Sequence, residues 1–374
     1  MVKTTKNSPS IFSQMTQLAL EHGAINLAQG FPNMPIDSRL KECIAAAVRS
    51  EHHQYSPYQG MLDLRQEISK LIQRTSGVLV TPHEILITAG ATQGIFTSVQ
   101  ALVGQGDEVI LLDPCYDCYE LPVVLVGAKP VHVPLNEDYL PDWERIEAAM
   151  TQKTRLIVIN SPHNPSGRVW EEQEYRELER ILAKFPNLHI LSDEVYEYLA
   201  FDRPHFSVRN TPFLSERSVV MASFGKSLQA TGWKIGYLTA PEALMNRILQ
   251  VHQFLVFSVN SFVQKGIADF LSEFSATEVN RDYRSRRARF SSGLEKSKFR
   301  LLPCEGTYFQ TLDYSQISDE NDVDFAIRLT QEAGVASIPI SVFNHDRRDL
   351  KHLRFCFAKT EETLIEATER LCRI

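Results

Sequence analysis

Two lysines stand just past short apolar runs, Lys226 in Ser223-Phe-Gly-Lys and Lys234 in Thr231-Gly-Trp-Lys-Ile-Gly. A lysine amine that can shed its proton condenses with a carbonyl to a Schiff base, whereas a charged one grips an anion. Asp193 and Tyr196 lie in Leu191-Ser-Asp-Glu-Val-Tyr, and Asn164 lies in the turn-rich Asn160-Ser-Pro-His-Asn-Pro-Ser-Gly. Gly90-Ala-Thr-Gln-Gly closes a strand-like run and opens a helical one, so the free N–H groups near Gly90, Ala91 and Thr92 can hold a phosphate. Taken singly these are ordinary: a solvated lysine, a helix-capping aspartate, a packed tyrosine. Together they meet the needs of a carbonyl cofactor, namely a lysine, a carboxylate for a pyridine nitrogen, a phenol or amide for a ring oxygen, and a phosphate cup.

Other motifs fail on inspection. Ser223-Phe-Gly-Lys-Ser ends like a P-loop, but Val220 stands where the first glycine is required. Gly104-Gln-Gly-Asp-Glu-Val begins like a dinucleotide fingerprint, yet it ends in valine and precedes a strand. Cys115-Tyr-Asp-Cys118 has no second pair at a zinc-like separation, and the histidines, His52-His53 included, show no metal spacing.

The elements that must position these residues are legible as a repeated run-then-helix pattern. Apolar runs occur at 85–88, 108–112, 131–133, 155–159, 188–191, 218–222 and 234–238. Several lack alternation, the mark of strands covered on both faces. Helical spacing fills Thr92–Leu102 and Glu171–Ala183. The pattern predicts an α/β fold whose three-layer large domain, residues 41–270, holds a mostly parallel mixed sheet. Residues 271–374 predict a smaller α+β domain, with an arginine-rich helix at 277–298 and strands at 299–302, 307–312, 335–338 and 352–357, and residues 1–40 are expected to belong with it. Polar residues at the strand ends then fall where open α/β sheets bind ligands.

The 374 residues suffice for a large core, and 39 basic against 46 acidic side chains leave a net charge of −7. That sign argues against nucleic acid or an anionic membrane as partner. Six scattered cysteines fit a reducing compartment, the cytoplasm, and neither a signal segment nor a membrane-length apolar run is visible.

Asn-Pro-x-Gly at 164–167, Asp-Glu-Val-Tyr at 193–196 and Ser-x-Gly-Lys with Thr-Gly-Trp-Lys at 223–234 occur in an order and spacing that resembles fold-type I, pyridoxal-phosphate-dependent class I/II aminotransferases. Gln29-Gly-Phe-Pro, Val251-His-Gln-Phe and Pro303-Cys-Glu-Gly-Thr-Tyr-Phe are similar to the bacterial methionine aminotransferases of the kynurenine aminotransferase-like group. The resemblance implies pyridoxal 5'-phosphate as cofactor, an amino acid and a 2-oxo acid as substrates, and a homodimer with shared active sites. It implies that Lys226 carries the cofactor and then moves a proton, that Asp193 pairs with the pyridine nitrogen, and that Tyr196 and Asn164 hold the ring oxygen. Tyr116 would stack on the ring, and Ala91, Thr92, Ser223 and Lys234 would hold the phosphate. Tyr55 would reach a neighbouring subunit's site. Arg354, in the alternating His352-Leu-Arg-Phe-Cys-Phe, would clamp the substrate carboxylate with help from the backbone of Gly30, while Tyr55, Phe257 and Phe31 would line an apolar side-chain pocket.

An apolar donor, methionine or an aromatic amino acid, is the leading expectation. Cysteine-conjugate β-lyase and kynurenine aminotransferase chemistry are the alternatives on the same scaffold. Ser258, where kynurenine-specific relatives often have histidine, counts against kynurenine. A ligand-sensing regulator needs an N-terminal DNA-binding domain, for which the residues before Asn26 leave little room.

Overall fold

Runs that lack alternation become strands buried on both sides. The computed structural model describes residues 10–374, so the first nine residues, read above for a targeting segment, lie outside the described residues. In chain order the strands are β1 (Ile25–Asn26), β2 (Ile85–Thr88), β3 (Glu108–Asp113), β4 (Lys129–Pro134), β5 (Thr154–Asn160), β6 (His189–Asp193) and β7 (Ser218–Ser223). They continue with β8 (Gly236–Thr239), β9 (Arg300–Leu301), β10 (Phe309–Asp313), β11 (Val335–Ala336), β12 (Ile338–Pro339) and β13 (His352–Cys356). Seven of them form one sheet in the order β2-β8-β7-β6-β5-β3-β4. β3 to β7 pair in parallel, and β8 runs antiparallel to both β7 and β2.

Alternate residues of each strand serve opposite layers. Val158 and Leu191 pack with Ile95 and Val99 of the helix Ala91–Leu102, whereas Ile157 and Ile190 pack with Leu178 and Ile181 of the helix Glu172–Leu182. Parallel strands fed by right-handed crossovers end together. Asp113, Asn160, Asp193 and Ser223 therefore terminate their strands along one edge, with Asn160 in register with Asp193.

A second, antiparallel sheet, β12-β13-β10-β9, sets Arg354 between Ile338 and Thr311. Early residues join late ones, since β1 pairs in parallel with β11, Ile25 beside Val335. Among the described residues no helix is long and apolar enough to cross a membrane.

Three local readings shift. The strand expected from Lys234 begins at Gly236, because Lys234 takes a left-handed backbone with φ 52°. The run at 335–338 divides into β11 and β12 at Ser337. The arginine-rich helix runs Ala276–Gly293, and its charges are matched on the surface, Arg286 by Asp282, Arg287 by Asp202 and Arg289 by Glu361.

The helices Ser38–Val48 and Ser261–Leu271 approach closely because Gly266 has no side chain; a Cβ there would stand 2.9 Å from Ile44 Cα. Gly266→Val is expected to cost about 1–3 kcal/mol by overpacking, seen as a melting point a few degrees lower. An unchanged melting point would contradict this packing.

Candidate active site

The strand ends open onto a cavity of about 440 Å³. Lys226 sits in its floor on the short helix Phe224–Ser227 that follows β7. Its Nζ donates to Tyr308 Oη at 2.8 Å and lies 3.3 Å from the Gly30 carbonyl, which Tyr308 also engages at 2.6 Å. Burial, with Arg354 and Lys234 as neighbouring cations, pushes the Lys226 amine down to about 8, against the pull of Asp193. An amine so placed gives up a proton near neutral pH and can act as nucleophile or base.

Asp193 ends β6 and is 4% exposed. Burial raises its pKa, partly offset by the Tyr119 hydroxyl, which donates to Oδ2 at 2.6 Å, and by Val195 N–H. Asn160 at the end of β5 donates to the Asp193 carbonyl at 2.8 Å and fixes the strand end. Glu194, one residue on, faces the opposite layer. Against the upward push of burial, the His205 hydrogen bond and the charges of His205 and Arg209 hold Glu194 at about 2.

Gly90 caps the helix Ala91–Leu102 with φ 81°, a backbone that side chains other than hydrogen disfavour. A Cβ on Gly90 would lie 3.4 Å from Lys234 Nζ, so lysine and helix N-terminus converge, with Ser223 lining the same cavity. Free N–H groups, a helix dipole and a cation in one corner make an anion cradle.

Arg354 is 1% exposed. Its Nη1 donates to Asn164 Oδ1 at 2.7 Å, its Nη2 donates to the Ala28 carbonyl at 3.0 Å, and its Nε has no partner. The guanidinium carbon lies 3.9 Å from the Phe309 ring centre, with Phe343 and Phe12 at 5.3 and 5.4 Å. A stacked guanidinium with donors to spare suits a bidentate carboxylate.

Tyr116, Tyr196, Gly30 and Phe31 also line the cavity. Tyr55 and Phe257 do not. They pack edge to face at 5.3 Å on the surface, 82% and 44% exposed. Three lining residues, Tyr119, Asn160 and Phe12, escape the sequence motifs, as does Tyr308, which bonds Lys226. Tyr119 is hidden by the CxxC spacing around it, Asn160 reads as the last residue of a strand, and Tyr308 and Phe12 reach their places only through long-range packing. The recurring tyrosines of Tyr116-Asp-Cys-Tyr119 are the one local signal available.

Residues 22–371 match the family described as aminotransferase class I and II. The chain belongs to that family. An Escherichia coli methionine aminotransferase is 42% identical over 97% of this chain and 95% of its own length. A crystal structure of an E. coli protein with a methionine aminotransferase function superposes with a TM-score of 0.97 at 40% identity, covering 100% of this chain and 99% of that one. The N-succinyldiaminopimelate aminotransferase of Mycobacterium tuberculosis follows at TM-score 0.94 and 34% identity, covering 98% and 97%. A kynurenine–oxoglutarate transaminase of Dictyostelium discoideum is 30% identical over 100% of this chain and 95% of its own.

The aminotransferase's Lys226 gives a signed pH effect. At pH 7 the amine is protonated in both folded and unfolded chains, so the folded state bears the full cost of a buried charge. Between about pH 8 and 10 the folded amine is neutral while the unfolded one still binds a proton, so stability rises with pH. In the cofactor-free protein, Lys226→Met is expected to add about 2 kcal/mol at pH 7, a gain that shrinks toward pH 10. Melting curves across that range check it, and a constant or widening gap would contradict it.

Proposed function

We propose that this aminotransferase transfers the amino group of an apolar L-amino acid, methionine foremost, to a 2-oxo acid, with pyridoxal 5'-phosphate as cofactor and as a homodimer. One observation carries the reading: a depressed lysine amine and a buried, ring-stacked guanidinium face the same cavity, whose wall also carries Phe12, Phe31 and Phe309.

The donor set fits the cofactor. Lys226 Nζ would hold its carbonyl carbon, and Asp193, whose Oδ2 already accepts from the Tyr119 hydroxyl, would accept from the pyridine N–H. Asn164 and Tyr196 would hold the ring oxygen, and Tyr116 would lie against the ring. The N–H groups of Ala91 and Thr92, with Ser223 and Lys234, would take the phosphate. When bound, pyridoxal phosphate supplies a carbonyl that takes up the amino group and a ring that withdraws electrons from the substrate Cα.

The chain's own groups do the rest. Arg354 orients the substrate by its carboxylate, aided by the Gly30 backbone, and sets Cα toward Lys226. Once the substrate amine had taken its place on the cofactor, the freed Lys226 Nζ would accept the Cα proton, a role that its low proton affinity suits. Phe12 and Phe31 offer rings and no charge to the substrate side chain, which favours methionine over aspartate. The methionine aminotransferase likeness supports the same choice.

Tyr55 and Phe257 form an exposed aromatic pair outside their own chain's cavity. Pairing of two chains would bury it and bring Tyr55 of one protomer to the site of its partner. Six free cysteines support a cytoplasmic setting.

Steady-state rates with 2-oxo acid present should rank methionine above kynurenine and aspartate in kcat/KM. Arg354→Lys should raise the methionine KM at least tenfold, about 1.4 kcal/mol, by losing the fork. Aspartate as best donor, or an unchanged KM, would overturn the reading.

A further inference from the structure

Outside the catalytic cavity, Glu120, His132 and His345 bring one carboxylate oxygen and two imidazole nitrogens within 4.8 Å of one another. The three come from separate elements, the helix Glu120–Leu125, β4, and the turn after the short helix Ile340–Phe343. His132 Nδ1 bonds Asp113 Oδ1 at 2.9 Å, which assigns the ring proton to Nδ1 and leaves the Nε2 lone pair free. That Nε2 is buried with no hydrogen-bond partner and stands 3.9 Å from Glu120 Oε2, too far for a hydrogen bond. The His345 ring stacks on His132 at 4.2 Å, and the His345 backbone N–H donates to Asp113 Oδ2 at 2.8 Å.

We propose that Glu120, His132 and His345 bind a divalent transition-metal ion, zinc being the type case. A carboxylate behind an imidazole whose far nitrogen is free is the arrangement that orients histidine ligands in metal sites. Zinc bonds of about 2.0–2.2 Å to nitrogen and oxygen put tetrahedral ligands roughly 3.3–3.5 Å apart, so a closure of about half an ångström makes Glu120 and His132 a coordination pair, while the exposed His345 ring turns out of its stack to aim an in-plane lone pair at the same ion. Glu120 and His345 reach solvent, so an ion can enter and water can complete the shell.

The ion would tie two segments that shape the active site. Asp113–Glu120 carries Tyr116 and Tyr119, and Cys115 N–H already bonds the Phe343 carbonyl at 2.9 Å. Phe343 is one of the rings around Arg354. Metal binding therefore restrains the loop on one side of the cavity and the aromatic wall on the other.

The test titrates EDTA-treated holoenzyme with zinc chloride in a calorimeter, with bound zinc counted by mass spectrometry. One zinc per chain is expected, with a rise in melting temperature. His345→Ala and Glu120→Gln, both at solvent-reached positions, should keep the melting temperature in EDTA, weaken zinc binding at least tenfold and lose the zinc-dependent rise. No zinc uptake by the wild type, or equal affinity in wild type and both variants, would overturn the proposal.

Discussion

Asp193, Lys226, Lys234 and Arg354 share one cavity, and their mutual compensation is the constraint on which the site depends. A carboxylate taken out of water is costly unless donors and cations surround it. Asp193 meets that cost with the Tyr119 hydroxyl, the Val195 N–H and the nearby Lys226. Lys226 in turn is depressed by burial and by Arg354 and Lys234, so the arrangement that tolerates the carboxylate also readies the amine.

The fold supplies these partners from distant parts of the chain. Parallel strands buried on both faces bring Asn160, Asp193 and Ser223 to one edge. β13 of the second sheet adds Arg354, held by Asn164 from the loop after β5 and by Ala28 from the early chain. Phe12 and Gly30 close the remaining side. The cavity therefore exists only when residues near both ends of the chain are in place, and the pairing of β1 with β11 locks those ends together.

Much of this was legible in the sequence. Short apolar runs, several of them without alternation, identified the seven central strands, because a strand covered on both faces carries apolar residues on both. Motif residues at strand ends fell into the cavity, because topology fixes where parallel strands terminate. What escaped detection depends on tertiary contact: Tyr119 meets Asp193 and Tyr308 meets Lys226 across separations of 74 and 82 residues. The displaced start of β8 follows from the left-handed Lys234, a local strain that side-chain periodicity does not register. Tyr55 and Phe257 were expected to line the pocket, yet within one chain they face outward.

The most direct test of the central claim is to load the protein with pyridoxal phosphate, reduce it with borohydride and locate the pyridoxyl group by peptide mass spectrometry. The account predicts a single modified lysine, Lys226, and no stable attachment in Lys226→Ala. Labelling at Lys234, or at surface lysines alone with Lys226 untouched, would contradict it.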